Sequence, residues 1–140
     1  MTPNFTLAEL TITNHRSLDN TPDPAARANL QRLAVFLELV KDRLGGRPIM
    51  VNSAYRSAAV NAACGSRETS QHRLGCAADV RVPGMTPGAV VRAVMASGLA
   101  YDQIIREFDA WTHISIPNTP TAAPRKSALI IDRAGTRPFA

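Results

Sequence analysis

The sequence has little of what marks several large protein classes. Its 140 residues include 2 cysteines, Cys64 and Cys76, too few for a disulfide framework and without the paired C-x-x-C spacing of zinc fingers. Both are expected to be reduced and buried as small apolar residues. No apolar run approaches the ~20 residues that a membrane-spanning helix needs, so stable membrane insertion is not expected. The opening MTPNFTLAELTITNH has no basic start, no continuous apolar stretch and no small-residue cleavage site, and a cytoplasmic location on synthesis is the expectation. Acidic residues are also in deficit, 11 against 16 lysines and arginines, for a formal charge of +5. That excess steers anionic partners without specifying chemistry. Nucleic acid is not expected among them, because no recognised motif and no interleaving of aromatic and basic residues is present.

What is present describes one ordinary soluble domain spanning 1–140. Hydrophobic residues make up 45% and charged residues 19%, a globular composition, and the length suits a single core and a single site. From Pro24 to Leu44 the residues Leu30, Leu33, Leu37, Val40 and Leu44 recur at alternating steps of three and four, which paints one face of a helix. Asp23 is placed to cap it and Gly45-Gly46 to end it. Pro48 to Ser53 has strand composition, Ser57 to Ala63 reads as a short capped helix, and CGSRETSQHRLG reads as a polar loop. Cys76 to Val82 is a second strand, and Thr86 opens a helix that Gly98 closes. Tyr101 to Arg106 and Trp111 to Ile116 form an expected hairpin. Ala128 to Asp132 reads as a last strand, followed by a tail. The mixture predicts an α+β fold with a small, mainly antiparallel sheet flanked by helices.

Three histidines differ in their surroundings. His15 lies in a polar N-terminal wrap and is assigned to the surface. His72 ends the polar loop, Asp79 lies inside a strand, and His113 sits mid-strand on the same face as Trp111 and Ser115. Two imidazoles and a carboxylate suit Zn²⁺, which takes nitrogen and oxygen ligands and in catalytic sites keeps a position open for water. Blander roles exist for each: a solvated loop histidine, a salt-bridged carboxylate, a hydrogen-bonded core histidine. Asp79 favours the metal, because it interrupts the apolar run Ala77-Ala78-Asp79-Val80, where an uncompensated carboxylate is costly to bury.

Ser70-Gln71-His72-Arg73-Leu74-Gly75-Cys76-Ala77-Ala78-Asp79 resembles the S-x-H-x-x-G-x-A-x-D pattern of the zinc peptidase family of D-Ala-D-Ala carboxypeptidases and L-alanyl-D-glutamate endopeptidases. Trp111-Thr112-His113 is similar to the family's later W-x-H motif, and Ser53-Ala54-Tyr55-Arg56-Ser57 to its S-x-Y-R segment, in the expected order. The resemblance runs from about Phe5 to Ile116. It is nearest to compact members from bacteriophage and prophage lysis cassettes, and residues 117–140 form an extension outside the motifs.

The resemblance implies a zinc DD-peptidase (hedgehog-like) fold, His72, Asp79 and His113 as zinc ligands, and Arg56 stabilising the substrate carbonyl or carboxylate. Ser70, Tyr55 and Trp111 are the implied substrate-binding neighbours, although Trp111 also suits a hydrophobic wall beside the metal. Many members carry an acid three positions before the last histidine, where this chain has Ala110. A hairpin centred there puts Glu107 across from His113 and leaves Asp109 in the turn, so Glu107 is the expected catalytic base and Asp109 the alternative. The implied function is a zinc metallopeptidase cutting peptidoglycan in the stem peptide or cross-link, as an endolysin. It would act as a monomer that reaches the wall through a separate pore. The displaced acid leaves a second reading open, a non-catalytic zinc-stabilised wall-binding or virion structural module.

Overall fold

The computed structural model describes residues 1–140, and its longest element is the helix the apolar periodicity predicts. Helix α2 (Pro24–Arg43) follows a one-turn helix α1 (Leu7–Leu10) and buries Ala26, Leu30, Leu33, Ala34, Leu37 and Val40. The Asp23 carboxylate accepts from the Ala26 amide at 2.8 Å, satisfying one of the free N–H groups of the first turn. Gly45 and Gly46, both at positive φ, turn the chain into strand β1 (Met50–Ser53).

Helix α3 (Ala58–Ala63), capped by Ser57, and the four-residue helix α4 (Gln71–Leu74) precede strand β2 (Ala77–Arg81). The stretch read as a polar loop therefore contains a helical turn, too short to show periodicity. Gly75 ends α4 at φ +78, and a Cβ there would lie 2.7 Å from the Ala26 carbonyl oxygen. Only a bare backbone lets the end of α4 sit against the start of α2.

Thr86 caps helix α5 (Pro87–Ser97), and β3 (Gln103–Glu107) and β4 (Trp111–Ser115) form the expected hairpin. The presumed tail is structured. Strand β5 (Ser127–Asp132) is followed by β6 (Gly135–Pro138), and the sheet order is β1-β2-β4-β3-β5-β6. All pairs are antiparallel except β3 with β5. The fold is α+β, as predicted, and the C-terminal residues complete its sheet.

Period-two alternation divides the work of the sheet between its faces. Ala78, Val80, Ile104 and Ile114 point into a core shared with α2 and α5. The opposite face carries a cross-strand row of Ser53, Asp79, His113, Ile105 and Leu129. Cys76 is buried as expected, whereas Cys64 at the end of α3 is exposed, and both are free thiols.

Asp102 fastens the C-terminal strands to this frame. Its buried carboxylate accepts from the Arg125 amide at 3.0 Å and from Arg125 Nη2 at 2.6 Å, and its carbonyl accepts from the Ser127 amide at 2.9 Å. Burial pushes the Asp102 carboxyl up, but the Arg125 hydrogen bonds outweigh it and leave the group below its ordinary 3.8. A depressed folded value means that the stabilisation is complete above the unfolded value and is lost as pH falls through the folded one. Asp102→Asn should therefore cost about 1–2 kcal/mol at pH 7, allowing for the solvent around Arg125. In denaturant titrations the gap to wild type should close below pH 3.8; a constant gap would show that the charge is not its source.

Candidate metal centre

Asp79 and His113 are paired across adjacent strands, so the sheet itself sets them side by side. His72 comes from α4, where the Ser70 hydroxyl caps the turn by accepting from the His72 amide at 3.3 Å. All three side chains are buried, and one ligand atom from each lies within 4.8 Å of the others. Asp79 Oδ1 is the shared point, 3.3 Å from His72 Nε2 and 3.0 Å from His113 Nδ1.

The protonation pattern fits a cation at this point. His72 Nδ1 donates to the Ala54 carbonyl oxygen at 2.7 Å, and since a carbonyl can only accept, the ring proton sits on Nδ1. Burial, ahead of the opposing pull of Asp79, drives the His72 imidazole below its ordinary pKa, so the ring is neutral near pH 7. Its Nε2 lone pair then faces a carboxylate oxygen, an arrangement that a metal ion relieves. The Ala54 carbonyl also fixes the ring orientation, as outer partners of histidine ligands do. Burial pushes the Asp79 carboxyl up, but the hydrogen bond from His113 leads the opposing influences of its neighbours, which win and hold it well below the usual carboxylate range. The donor set of two nitrogens and one carboxylate oxygen suits zinc.

Arg56 is held at three points: Nε donates to Ser53 Oγ, Nη1 to Ser66 Oγ and Nη2 to Asp79 Oδ2, each at 3.1 Å. It is thus the ion partner of Asp79, and two of its five N–H groups remain for another acceptor. Its own amide donates to the His72 carbonyl at 2.9 Å, which ties the arginine segment to α4.

The hairpin register differs from the expectation. Glu107 stands opposite Trp111, and His113 stands opposite Ile105. Glu107 and His113 are diagonal neighbours on one face, and Glu107 Oε1 lies 3.8 Å from His113 Nδ1. Burial first, then the Asp79 charge, raises the Glu107 carboxyl. Asp109 is in the turn, as expected, with its side chain 72% exposed and 3.9 Å from Arg106.

Two cavities meet this centre. One of about 260 Å³ is lined by Arg56, Asp79 and Trp111 together with His15, Asn14 and Cys64. The other, about 660 Å³, borders His113 and Ser70. A third, about 250 Å³ under the Pro83–Pro87 turn, holds no titratable group but Arg81. Tyr55 does not fit the substrate-binding place expected of it: it is 4% exposed, packed in the hydrophobic core, and lines neither cavity beside the centre. His15 departs the other way, half-buried at the first cavity rather than on open surface. The N-terminal wrap that carries it has no periodicity, so no pattern marked where it folds. The roles of the Ala54 carbonyl and of Ser66 were equally unmarked, since each depends on chain crossing.

No curated protein matches the chain. The family model described as peptidase M15 matches residues 3–115, which contain His72, Asp79, His113, Arg56 and Glu107 and stop short of β5 and β6. On that match the chain belongs to the peptidase M15 family of zinc-dependent metallopeptidases.

Proposed function

We propose that this metallopeptidase hydrolyses a peptide bond in the stem or cross-link of bacterial peptidoglycan, as an endolysin, with residues 1–140 acting as one catalytic unit. The observation that carries the reading is the convergence of His72, Asp79 and His113, beside which two cavities open, with a half-buried carboxylate, Glu107, 3.8 Å from His113. The formal charge of +5 suits an anionic polymer, and no helix is long and apolar enough to cross a membrane.

In this reading His72, Asp79 and His113 would hold the zinc. When bound, zinc supplies Lewis-acid polarisation of a carbonyl and acidifies water near neutral pH. Arg56 keeps Asp79 ionised and oriented, and its two unspent N–H groups face substrate oxygen at the first cavity. Glu107 takes the proton of the attacking water and returns it to the leaving amine. Its raised pKa brings it closer to neutrality, where a carboxylate both accepts and releases a proton efficiently. Trp111 walls the first cavity, and Ser70 supports His72 as a helix cap.

Zinc should bind at one ion per chain by elemental analysis and raise the melting temperature. His113→Ala should abolish both effects, and stoichiometric zinc in a His72→Ala/Asp79→Ala/His113→Ala variant would refute the ligand assignment. Glu107→Gln should retain zinc and slow the release of muropeptides, followed by mass spectrometry, by about 10²–10⁴-fold. Asp109→Asn should stay within a few-fold of wild type. The reverse ranking would move the base to Asp109, and a zinc-loaded wild type that never cleaves peptidoglycan would favour the non-catalytic module. Arg56→Lys should keep zinc but lose most activity, since an ammonium cannot span Ser53, Ser66 and Asp79 together.

A further inference from the structure

The smaller cavity beside the metal centre, about 260 Å³, has a lining of two origins. Ser53, Arg56, Asp79 and Trp111 belong to the sheet and to the arginine segment that follows β1. Thr13, Asn14 and His15 belong to the N-terminal wrap, which has no helix or strand of its own.

The wrap is nevertheless fixed, and it is fixed on either side of Arg56. Asn20 Nδ2 donates to the Tyr55 carbonyl at 3.1 Å and to the Thr11 carbonyl at 2.9 Å, while Asn20 Oδ1 accepts from the Ser57 amide at 2.8 Å. Ser57 Oγ donates to the Asp19 carbonyl at 2.8 Å, and the Tyr55 amide donates to the Leu10 carbonyl at 2.9 Å. Both chain neighbours of Arg56 therefore grip the ends of the wrap. Between those grips the Thr13 hydroxyl accepts from the His15 amide at 3.0 Å, and the His15 carbonyl accepts from the Leu18 amide at 3.0 Å. The backbone that carries Asn14 and His15 is thus held at the cavity, while the Asn14 carboxamide and the His15 ring have no protein partner.

The hydrogen-bonding capacity of the lining is lopsided. Asp79 is its only carboxylate, and both oxygens are engaged, by Arg56 and by the two histidines. Arg56 keeps two N–H groups, Thr13 keeps its hydroxyl hydrogen, and Asn52 keeps its whole amide group because its oxygen accepts from Arg81 Nε at 3.0 Å. Asn14 and His15 add donors of their own. Unspent donors outnumber unspent acceptors, while Arg56 and Asp79, 3.1 Å apart, cancel each other's charge. Such a lining fits an uncharged occupant that is rich in acceptors. A peptide chain is one, since each unit carries one N–H but a carbonyl oxygen with two lone pairs.

We propose that Asn14 and His15 are specificity-determining residues that donate to backbone carbonyls of the substrate peptide and hold an uncharged stretch of it in the cavity beside Arg56. The inference rests on the zinc peptidase reading and extends its substrate site to the N-terminal wrap.

The probe is the soluble disaccharide-pentapeptide of peptidoglycan. Its binding to zinc-loaded Glu107→Gln protein is measured by calorimetry at high salt, where distant charges are screened, and its cleavage by zinc-loaded wild type is followed in parallel. Adding Asn14→Ala and His15→Ala together should weaken binding about tenfold, the scale of two neutral hydrogen bonds, at unchanged zinc content and melting temperature. Asn14→Asp, which keeps the shape but offers only oxygens, should bind more weakly than Asn14→Ala. Absence of binding to the parent protein, or affinity indifferent to the double substitution, overturns the proposal. So does an Asn14→Asp variant that binds as well as Asn14→Ala or better, because the occupant would then not be presenting carbonyls. Affinity lost as expected, without any cleavage by wild type, supports the subsite and overturns the peptidase reading instead.

Discussion

A carboxylate buried in the middle of a sheet is the constraint on which the rest of this structure depends. Asp79 is 7% exposed on β2, the second strand of a six-stranded sheet, and burying its charge without compensation would cost several kcal/mol. Arg56 supplies one positive charge at Oδ2. Oδ1 faces two imidazoles, and one of them, His72, is neutral with its only ring proton spent on Ala54. The remaining demand is for positive charge at the point where Oδ1, His72 Nε2 and His113 Nδ1 meet. A divalent cation would answer it, with three donor atoms already gathered within 4.8 Å of one another.

Meeting that demand organises distant parts of the chain. Arg56 can reach Asp79 only because a bulge between Val51 and Ser53 shifts the β1–β2 register and sets Ser53 opposite Asp79, where its hydroxyl holds the guanidinium. His72 can reach it only because α4 rests on α2 at Gly75. Gln71, one residue earlier, joins the same small helix to Asp102 and so to the C-terminal strands. Residues far apart in sequence therefore hold one histidine, which is how a four-residue helix keeps a fixed place.

The parts of this arrangement legible in the sequence are those whose physics is local. The α2 stripe follows from helical period, and its cap from the Asp23-Pro24 pair. The spacing from Ser70 through His72 and Gly75 to Asp79 was legible because cap, imidazole, left-handed turn and strand carboxylate follow one another along a short stretch of chain. What stayed hidden depends on chain crossing. Tyr55 sits in a motif but turns into the core, and His15 sits in featureless sequence but reaches a cavity beside Asp79. Strand β6 is only four residues long and wholly exposed, so no hydrophobic alternation announces it. Arg125 looks like any basic residue of a proline-rich segment until Asp102 is seen beneath it.

The displaced acid shows how a register can substitute for a motif. An acid at position 110 would adjoin Trp111 along the chain; Glu107 adjoins Trp111 across the ladder. Because the hairpin reverses direction between them, the strand position puts a carboxylate on the His113 face without requiring an acid inside the turn. The turn bears the conformational cost: Phe108 and Asp109 both take positive φ, at 51° and 53°, and for Phe108 that conformation costs about 1–2 kcal/mol. The Phe108 amide donates to the Ile131 carbonyl at 2.8 Å, so strand β5 helps to hold the strained turn. The C-terminal strands, which lie outside the family match, thus support the hairpin that carries both Glu107 and His113.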